Sequence, residues 1–202
     1  YVGFTVSFFV RPFGGVICGY FGDKIGRQNL LAILLLMISL ATAAIGLLPS
    51  YASIGWAAPA LLILLRIVQG FSAGGEVSGA GSFVAEYAED HRRAVVMSPL
   101  VMGSFIALLF GSLLISGLIN IFCIEAMNSW VWRVPFLLAI PMALIGVYPR
   151  TRIEDTPHFL MVTASTKAVR HPLREVLSSN RPLQAIGLAI MLPALNGPGY
   201  YL

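Results

Sequence analysis

Two stretches of this chain, Leu30 to Leu48 and Ala94 to Ile124, run for 19 and 31 residues without one charged side chain. A segment of about 20 predominantly apolar residues is the length of a bilayer-spanning helix. Four more apolar stretches accompany them: Tyr1 to Phe21, interrupted by Arg11; Ala58 to Ala85, containing Arg66 and Glu76; Trp132 to Pro149, opening on Arg133; and Leu183 to Leu202. None alternates like a strand, and all exceed the roughly 9–11 residues of a membrane barrel strand. An all-α membrane protein follows. With 57% hydrophobic and 11% charged residues, against about 25% charged in ordinary soluble domains, a soluble enzyme, a disordered tail and a nucleic-acid-binding module are excluded. The chain starts without Met and stops inside an apolar run, so it is read as part of a longer membrane protein.

The placement of charge sets the topology. Segments 22–29, 86–93 and 150–182 share one side if every apolar stretch crosses, and they hold 10 of the 13 Lys and Arg residues; 49–57 and 125–131 hold none. The positive-inside rule assigns the basic side to the cytoplasm. The net charge of +4 therefore reports topology, not an anionic partner. Residues 1–149 form one transmembrane bundle, 150–182 a cytoplasmic linker with a short surface helix expected over Leu173 to Leu177, and 183–202 the start of a further helix. Cys18 and Cys123 fall near opposite faces, about 30 Å apart, too far for a disulfide, so both are expected as free thiols.

The third stretch carries the most constrained chemistry. Arg66 and Glu76 together cost roughly 5–7 kcal/mol on insertion scales. Arg66, Gln69, Ala73, Glu76, Ala80 and Phe83 share an arc of about 100°, a polar stripe expected to face inward. Intramembrane ionisable residues are candidates for a substrate or proton pathway; a structural ion-pair network is the alternative. Glu76 lies ten residues from Arg66, about 15 Å along the helix, too far to pair within it. An unpaired buried carboxylate favours its neutral form, which suits a proton carrier. Arg11, about 18 Å from Asp23 along the first helix, sits where a substrate carboxylate would bind. All three His residues, His91, His158 and His171, fall in the basic connections. The helices thus offer neither a metal cluster nor a histidine base for Ser82, Ser104 or Ser112, which argues against an intramembrane serine protease.

Gly19-Tyr20-Phe21-Gly22-Asp23-Lys24-Ile25-Gly26-Arg27 resembles the loop between the second and third helices of the major facilitator superfamily, departing at Gln28 and Asn29, where basic residues are usual. Arg66-Ile67-Val68-Gln69-Gly70-Phe71-Ser72-Ala73-Gly74-Gly75-Glu76 resembles its fourth-helix motif, and the Gly-Gly-Glu ending narrows this to the metabolite:proton symporter family. Arg11-Pro12-Phe13-Gly14-Gly15, Trp132-Arg133-Val134-Pro135-Phe136 and Glu154-Asp155-Thr156-Pro157-His158-Phe159 support that subfamily. Val84-Ala85-Glu86-Tyr87 with Arg92 and Arg93 resembles the end of its fourth helix, with Glu89 and Ala94 as departures. Leu48-Pro49-Ser50-Tyr51 and Phe83 to Tyr87 are most similar to members that carry zwitterionic osmolytes such as proline or betaine.

The resemblance implies a major facilitator fold: most of the N-terminal six-helix bundle, helices two to six, plus the start of the seventh. It implies a symporter of small polar metabolites working by alternating access in a bacterial inner (plasma) membrane. The partners are a small-molecule substrate, protons and the lipid bilayer; the proton gradient is the driving force, and no cofactor or metal is needed. Arg11, Arg66, Gln69 and Glu76 are then the pathway candidates. Gly19, Asp23, Gly26, Arg27, Glu86, Arg92 and Arg93 are the cytoplasmic gate candidates. A non-transporting scaffold or sensor that kept the fold is the rival.

Overall fold

In the computed structural model, residues 2–150 and Arg152 are described, and all of them belong to one compact unit, 1–161. They form eight α-helices: α1 Val2–Ile25, α2 Arg27–Leu47, α3 Tyr51–Ile54, α4 Ala57–Tyr87, α5 Arg93–Ile121, α6 Ile124–Ser129, α7 Val134–Leu137 and α8 Ala139–Arg150. Single 3-10 turns at Asp90–Arg92 and Val131–Arg133 lead into α5 and α7. The helices α2, α4 and α5 and the span Val131–Arg150 are each long and apolar enough to cross a membrane. With 24 residues, α1 is about 36 Å long, also sufficient. A helix keeps every backbone hydrogen bond within the segment, as a lipid environment demands.

The expected 22–29 connection is shorter than anticipated. Helix α1 runs to Ile25 and α2 begins at Arg27, so Gly26 alone makes the turn. Its φ of 95° is a backbone conformation open chiefly to glycine. The turn stays bonded throughout: the Gly26 N–H donates to the Gly22 carbonyl at 3.1 Å and the Gly26 carbonyl accepts from Leu30 at 3.2 Å. The connections 49–57 and 125–131 are not plain loops either, since they contain α3 and α6. Between Val131 and Arg150 the chain crosses as a 3-10 turn and two helices, because Pro135 and Pro141 each lack the N–H that a continuous ladder needs. The linker 150–182, its expected surface helix and the span 183–202 lie outside the described residues, apart from Arg150 and Arg152.

Helix α1 lies along α4, and α2 packs on α4, α7 and α8. The α1–α4 seam has a regular register. Gly3 is opposite Arg66, Ser7 opposite Gly70, Arg11 opposite Gly74 and Gly15 opposite Ser78, an offset of 63 at every step. Both numbers rise together, so the two helices are parallel. A Cβ on Gly14, Gly70 or Gly74 would collide with the backbone of the other helix. Small residues at four-residue spacing are what permit such an approach between membrane helices. Cys18, Leu30 and Leu34 form a small buried cluster with Phe71 against it, and Ser72 is fully buried. By contrast, α5 has no buried residue and touches α4 only lightly.

Candidate functional site

Arg11 is the tenth residue of α1, about 14 Å from the helix start, and its side chain is exposed. Its backbone carbonyl lies against Gly74, while its guanidinium carbon sits 4.3 Å from the centre of the Phe8 ring. That cation–π contact leaves the forked N–H donors without a carboxylate among the described residues. One turn earlier, Ser7 Oγ lies 2.8 Å from the Arg66 carbonyl and 3.1 Å from that of Gly3, a hydroxyl stitch between the two helices. The Arg66 side chain runs beside Gly3.

The polar stripe of α4 faces into the bundle, but its members are engaged by neighbouring helices. Gln69 Nε2 donates to Thr42 Oγ1 on α2 at 2.7 Å, and the Thr42 hydroxyl donates in turn to the Ile38 carbonyl at 2.6 Å. Gln69 Oε1 is buried without a partner among the described residues. Glu76 is not the unpaired carboxylate expected from the sequence. Its Oε1 accepts from Arg150 Nη2, on α8, at 3.0 Å. Arg150 Nη1 also donates to the Leu31 carbonyl at 3.1 Å, and Gln28 Nε2 donates to the Arg150 carbonyl at 2.6 Å. Gly75, next to Glu76 on α4, lies against Leu34, the eighth residue of α2, about 10 Å from the N-terminal start of that helix. Glu76 therefore lies about two turns in from the start of α2, where a long arginine side chain can reach it from the end of α8.

At the same end, Arg27 Nη1 and Glu86 Oε1 pair at 2.5 Å, joining the start of α2 to the end of α4. The second Glu86 oxygen is buried without a partner among the described residues. Arg92 and Arg93 are exposed, on the 3-10 turn and the first residue of α5. The Asp23 side chain falls outside the described residues. Gly26 makes the turn, and Gly19 opens onto free space: a methyl group added there would meet nothing within 4 Å. A crevice of about 250 Å³ runs between α1, α2 and α4, with Gly15, Gly19, Gly22, Ser78 and Arg27 among its walls.

Three contributors are not legible in the sequence. Arg150 counts toward the positive-inside pattern and so calls for no partner. Gln28 looks like a loss of charge, yet it is a donor to α8. Arg133 donates through Nη2 to the Leu48 carbonyl at 3.4 Å and lies 5.3 Å from the Trp132 ring centre. It thereby serves a carbonyl left open at the end of α2, and the Trp132-Arg133 pair is its only signal. Two of the three serines weighed as nucleophiles are spent on their own helix: Ser104 Oγ donates to the Leu100 carbonyl at 3.3 Å and Ser112 Oγ to that of Leu108 at 2.6 Å. The described residues hold no group of three or more His, Cys, Asp or Glu suited to a metal.

Residues 1–189 match the sugar (and other) transporter family. The glycine betaine/proline/ectoine/pipecolic acid transporter OusA of Dickeya dadantii is 48% identical over 77% of this chain and 31% of its own length. The ectoine/proline transporter ProP of Corynebacterium glutamicum is 43% identical over 99% of this chain and 42% of its own. The proline/betaine transporter of Salmonella typhimurium is 46% identical over 77% and 31%. The chain thus spans less than half the length of these relatives. Among solved structures, the partially occluded inward-open form of the Escherichia coli xylose transporter XylE superposes with a TM-score of 0.65. It is 19% identical and covers 98% of this chain and 49% of that one, a likeness of fold.

Proposed function

The chain belongs to the sugar (and other) transporter family of the major facilitator superfamily, a family of transporters and not of enzymes, and from that membership we propose that it is part of a proton-coupled symporter of small zwitterionic osmolytes such as proline and betaine. It is a multi-pass membrane protein, and the bacterial inner membrane is its proposed location. We assign residues 1–149 to the first bundle, 150–182 to the cytoplasmic linker and 183–202 to the start of the next helix.

The observation that carries this reading is Arg11. A guanidinium facing lipid at the helix centre costs about 2.5–3.5 kcal/mol, and here it is exposed on a membrane-length helix. Such a residue belongs on a watered pathway or against another part of the carrier. Its fork matches a carboxylate in two-pronged fashion, and a carboxylate is the group that proline, betaine and ectoine share. In this reading Arg11 holds the substrate carboxylate, Arg66 and Gln69 support the pathway wall, and Glu76 takes and releases the driving proton. Gly19, Asp23, Gly26, Arg27, Glu86, Arg92 and Arg93 make up the cytoplasmic gate, with Arg27–Glu86 as its closed pair.

The test is Arg11→Gln in the full-length carrier. Loss of a charge-assisted bond worth about 1.5–3 kcal/mol raises KM for proline about 10- to 150-fold, with membrane expression unchanged. A parental KM in that variant refutes the assignment. Failure of the parental carrier to move proline or betaine at all favours a scaffold that kept the fold.

A further inference from the structure

The charge of Arg11 rests against an aromatic ring. Phe8 and Arg11 are three residues apart on α1, so their side chains are neighbours on one face of the helix. Arg11 is exposed and Phe8 half-buried, with the guanidinium carbon 4.3 Å from the ring centre. A ring face that takes one cation in this way can take another, and quaternary ammonium groups are recognised by such faces.

A zwitterion whose carboxylate is drawn to Arg11 brings a positive nitrogen one carbon away from that carboxylate. Among the described residues, no carboxylate is placed to meet this nitrogen. Gly74 lies against the Arg11 backbone carbonyl, and Glu76, two residues further on, falls on the opposite side of α4, where it holds Arg150. Glu86 is twelve residues past Gly74, about 18 Å along α4, and is paired with Arg27; Glu89 is further still. Glu125 is on α6, outside the membrane-length helices. The described group beside Arg11 that attracts a cation is the Phe8 ring. A quaternary ammonium has no N–H to give to a hydroxyl or a carbonyl, so an aromatic face suits it where those groups do not. The guanidinium can leave the ring at little cost, because a carboxylate gives it two charge-assisted bonds in exchange.

We propose that Phe8 is a specificity-determining residue: its ring face, which holds the Arg11 guanidinium in the arrangement described, receives the quaternary ammonium of a betaine-type zwitterion when Arg11 moves onto the carboxylate. The inference rests on the reading of Arg11 as the holder of the substrate carboxylate. One cation replaces another on the same ring, and no covalent bond is made or broken. The pair selects for both ends of the zwitterion at once, the carboxylate by Arg11 and the positive nitrogen by Phe8.

The experiment uses the full-length carrier in proteoliposomes, with labelled betaine as substrate and tert-butylacetate as competitor. The competitor has the shape and the carboxylate of betaine, with a neutral carbon in place of the charged nitrogen. The parental carrier is expected to hold betaine more tightly than tert-butylacetate; equal affinities overturn the proposal. Phe8→Leu is expected to raise the betaine KM about 2- to 30-fold and to leave the inhibition constant of tert-butylacetate near the parental value, because leucine keeps the apolar contact and loses the aromatic face. Phe8→Tyr keeps the face and is expected to keep the parental ratio of the two constants. Arg11→Gln is expected to weaken both ligands, since both carry the carboxylate. If it does so while Phe8→Leu leaves their ratio unchanged, the role of Phe8 is overturned and the Arg11 reading stands. If Arg11→Gln weakens neither, both are overturned. Should Phe8→Leu fail to reach the membrane, Phe8→Trp decides, since Trp offers the strongest face for a cation: a ratio shifted toward betaine supports the proposal and a parental ratio refutes it.

Discussion

Replacing Gly74 by alanine tests the seam on which the bundle is built. The new methyl would stand 2.8 Å from the Arg11 carbonyl carbon and 2.9 Å from its Cα, where ordinary contact begins at 3.4 Å. The atoms it meets, the Arg11 carbonyl oxygen nearest of all, are backbone and cannot swing aside, so α1 and α4 must part by about 1 Å. A gap of that size forfeits a quarter to a half of the dispersion well at each affected atom pair, along a register that runs from Gly3–Arg66 to Gly15–Ser78. Overpacking costs typically about 1–3 kcal/mol, and a clash with backbone belongs at the upper end. Alanine's helix preference returns about 0.5–1 kcal/mol. The net loss is about 2 kcal/mol, or about 4–8 °C in Tm for a chain of this size. Thermal unfolding in detergent, followed by tryptophan fluorescence, reads it. Gly103→Ala is the control, because nothing lies within 4 Å of that position on α5; it should melt at the parental temperature or slightly above. If Gly74→Ala and Gly103→Ala melt within a degree of each other, the close-packed seam is refuted.

Single cysteines placed at Lys24 and Ser53 in a background lacking Cys18 and Cys123 test the topology: an impermeant thiol reagent added to intact cells should label position 53 and spare position 24, and the reverse pattern contradicts it. The Arg27–Glu86 pair is about one quarter exposed, so Arg27→Gln should cost no more than about 1 kcal/mol of stability, yet slow transport severalfold. Charge reversal of both residues should recover most of that rate, and a double variant as slow as the single one contradicts a gate. Ser72 is fully buried and its hydroxyl has no partner among the described residues. Burying an unpaired hydroxyl costs about 1–3 kcal/mol, so Ser72→Ala should leave Tm unchanged or raise it; a fall of several degrees would mean that the hydroxyl is bonded.

The membrane helices can be read from the chain because their signal is local: length, apolarity and the side on which Lys and Arg collect. Motif glycines such as Gly70 and Gly74 announce a close approach, but not that the approach is to Ser7 and Arg11 on α1. That register depends on which helix lies alongside, and periodicity within one helix carries no such information. The same gap hides the partner of Glu76. Arg150 is 74 residues away and is fully accounted for by the positive-inside rule, so nothing in the chain marks it as a clamp. Depth is obscured for a related reason. Counting along α4 sets Glu76 well inside the helix, whereas its neighbour Gly75 is level with Leu34, about two turns from the start of α2, within reach of an arginine at the end of α8. The turn at Gly26 is shorter than the charge pattern suggests because the charged residues around it belong to helix ends and not to a loop.

The central claim is that this chain is part of a carrier that couples osmolyte movement to protons. The most direct measurement is labelled betaine in proteoliposomes of the full-length carrier, with and without an imposed inward proton gradient. The account predicts that lumenal betaine rises several-fold above the external concentration when the gradient is imposed, and falls back to the external level when a protonophore collapses it. Equal lumenal and external betaine under both conditions would contradict it.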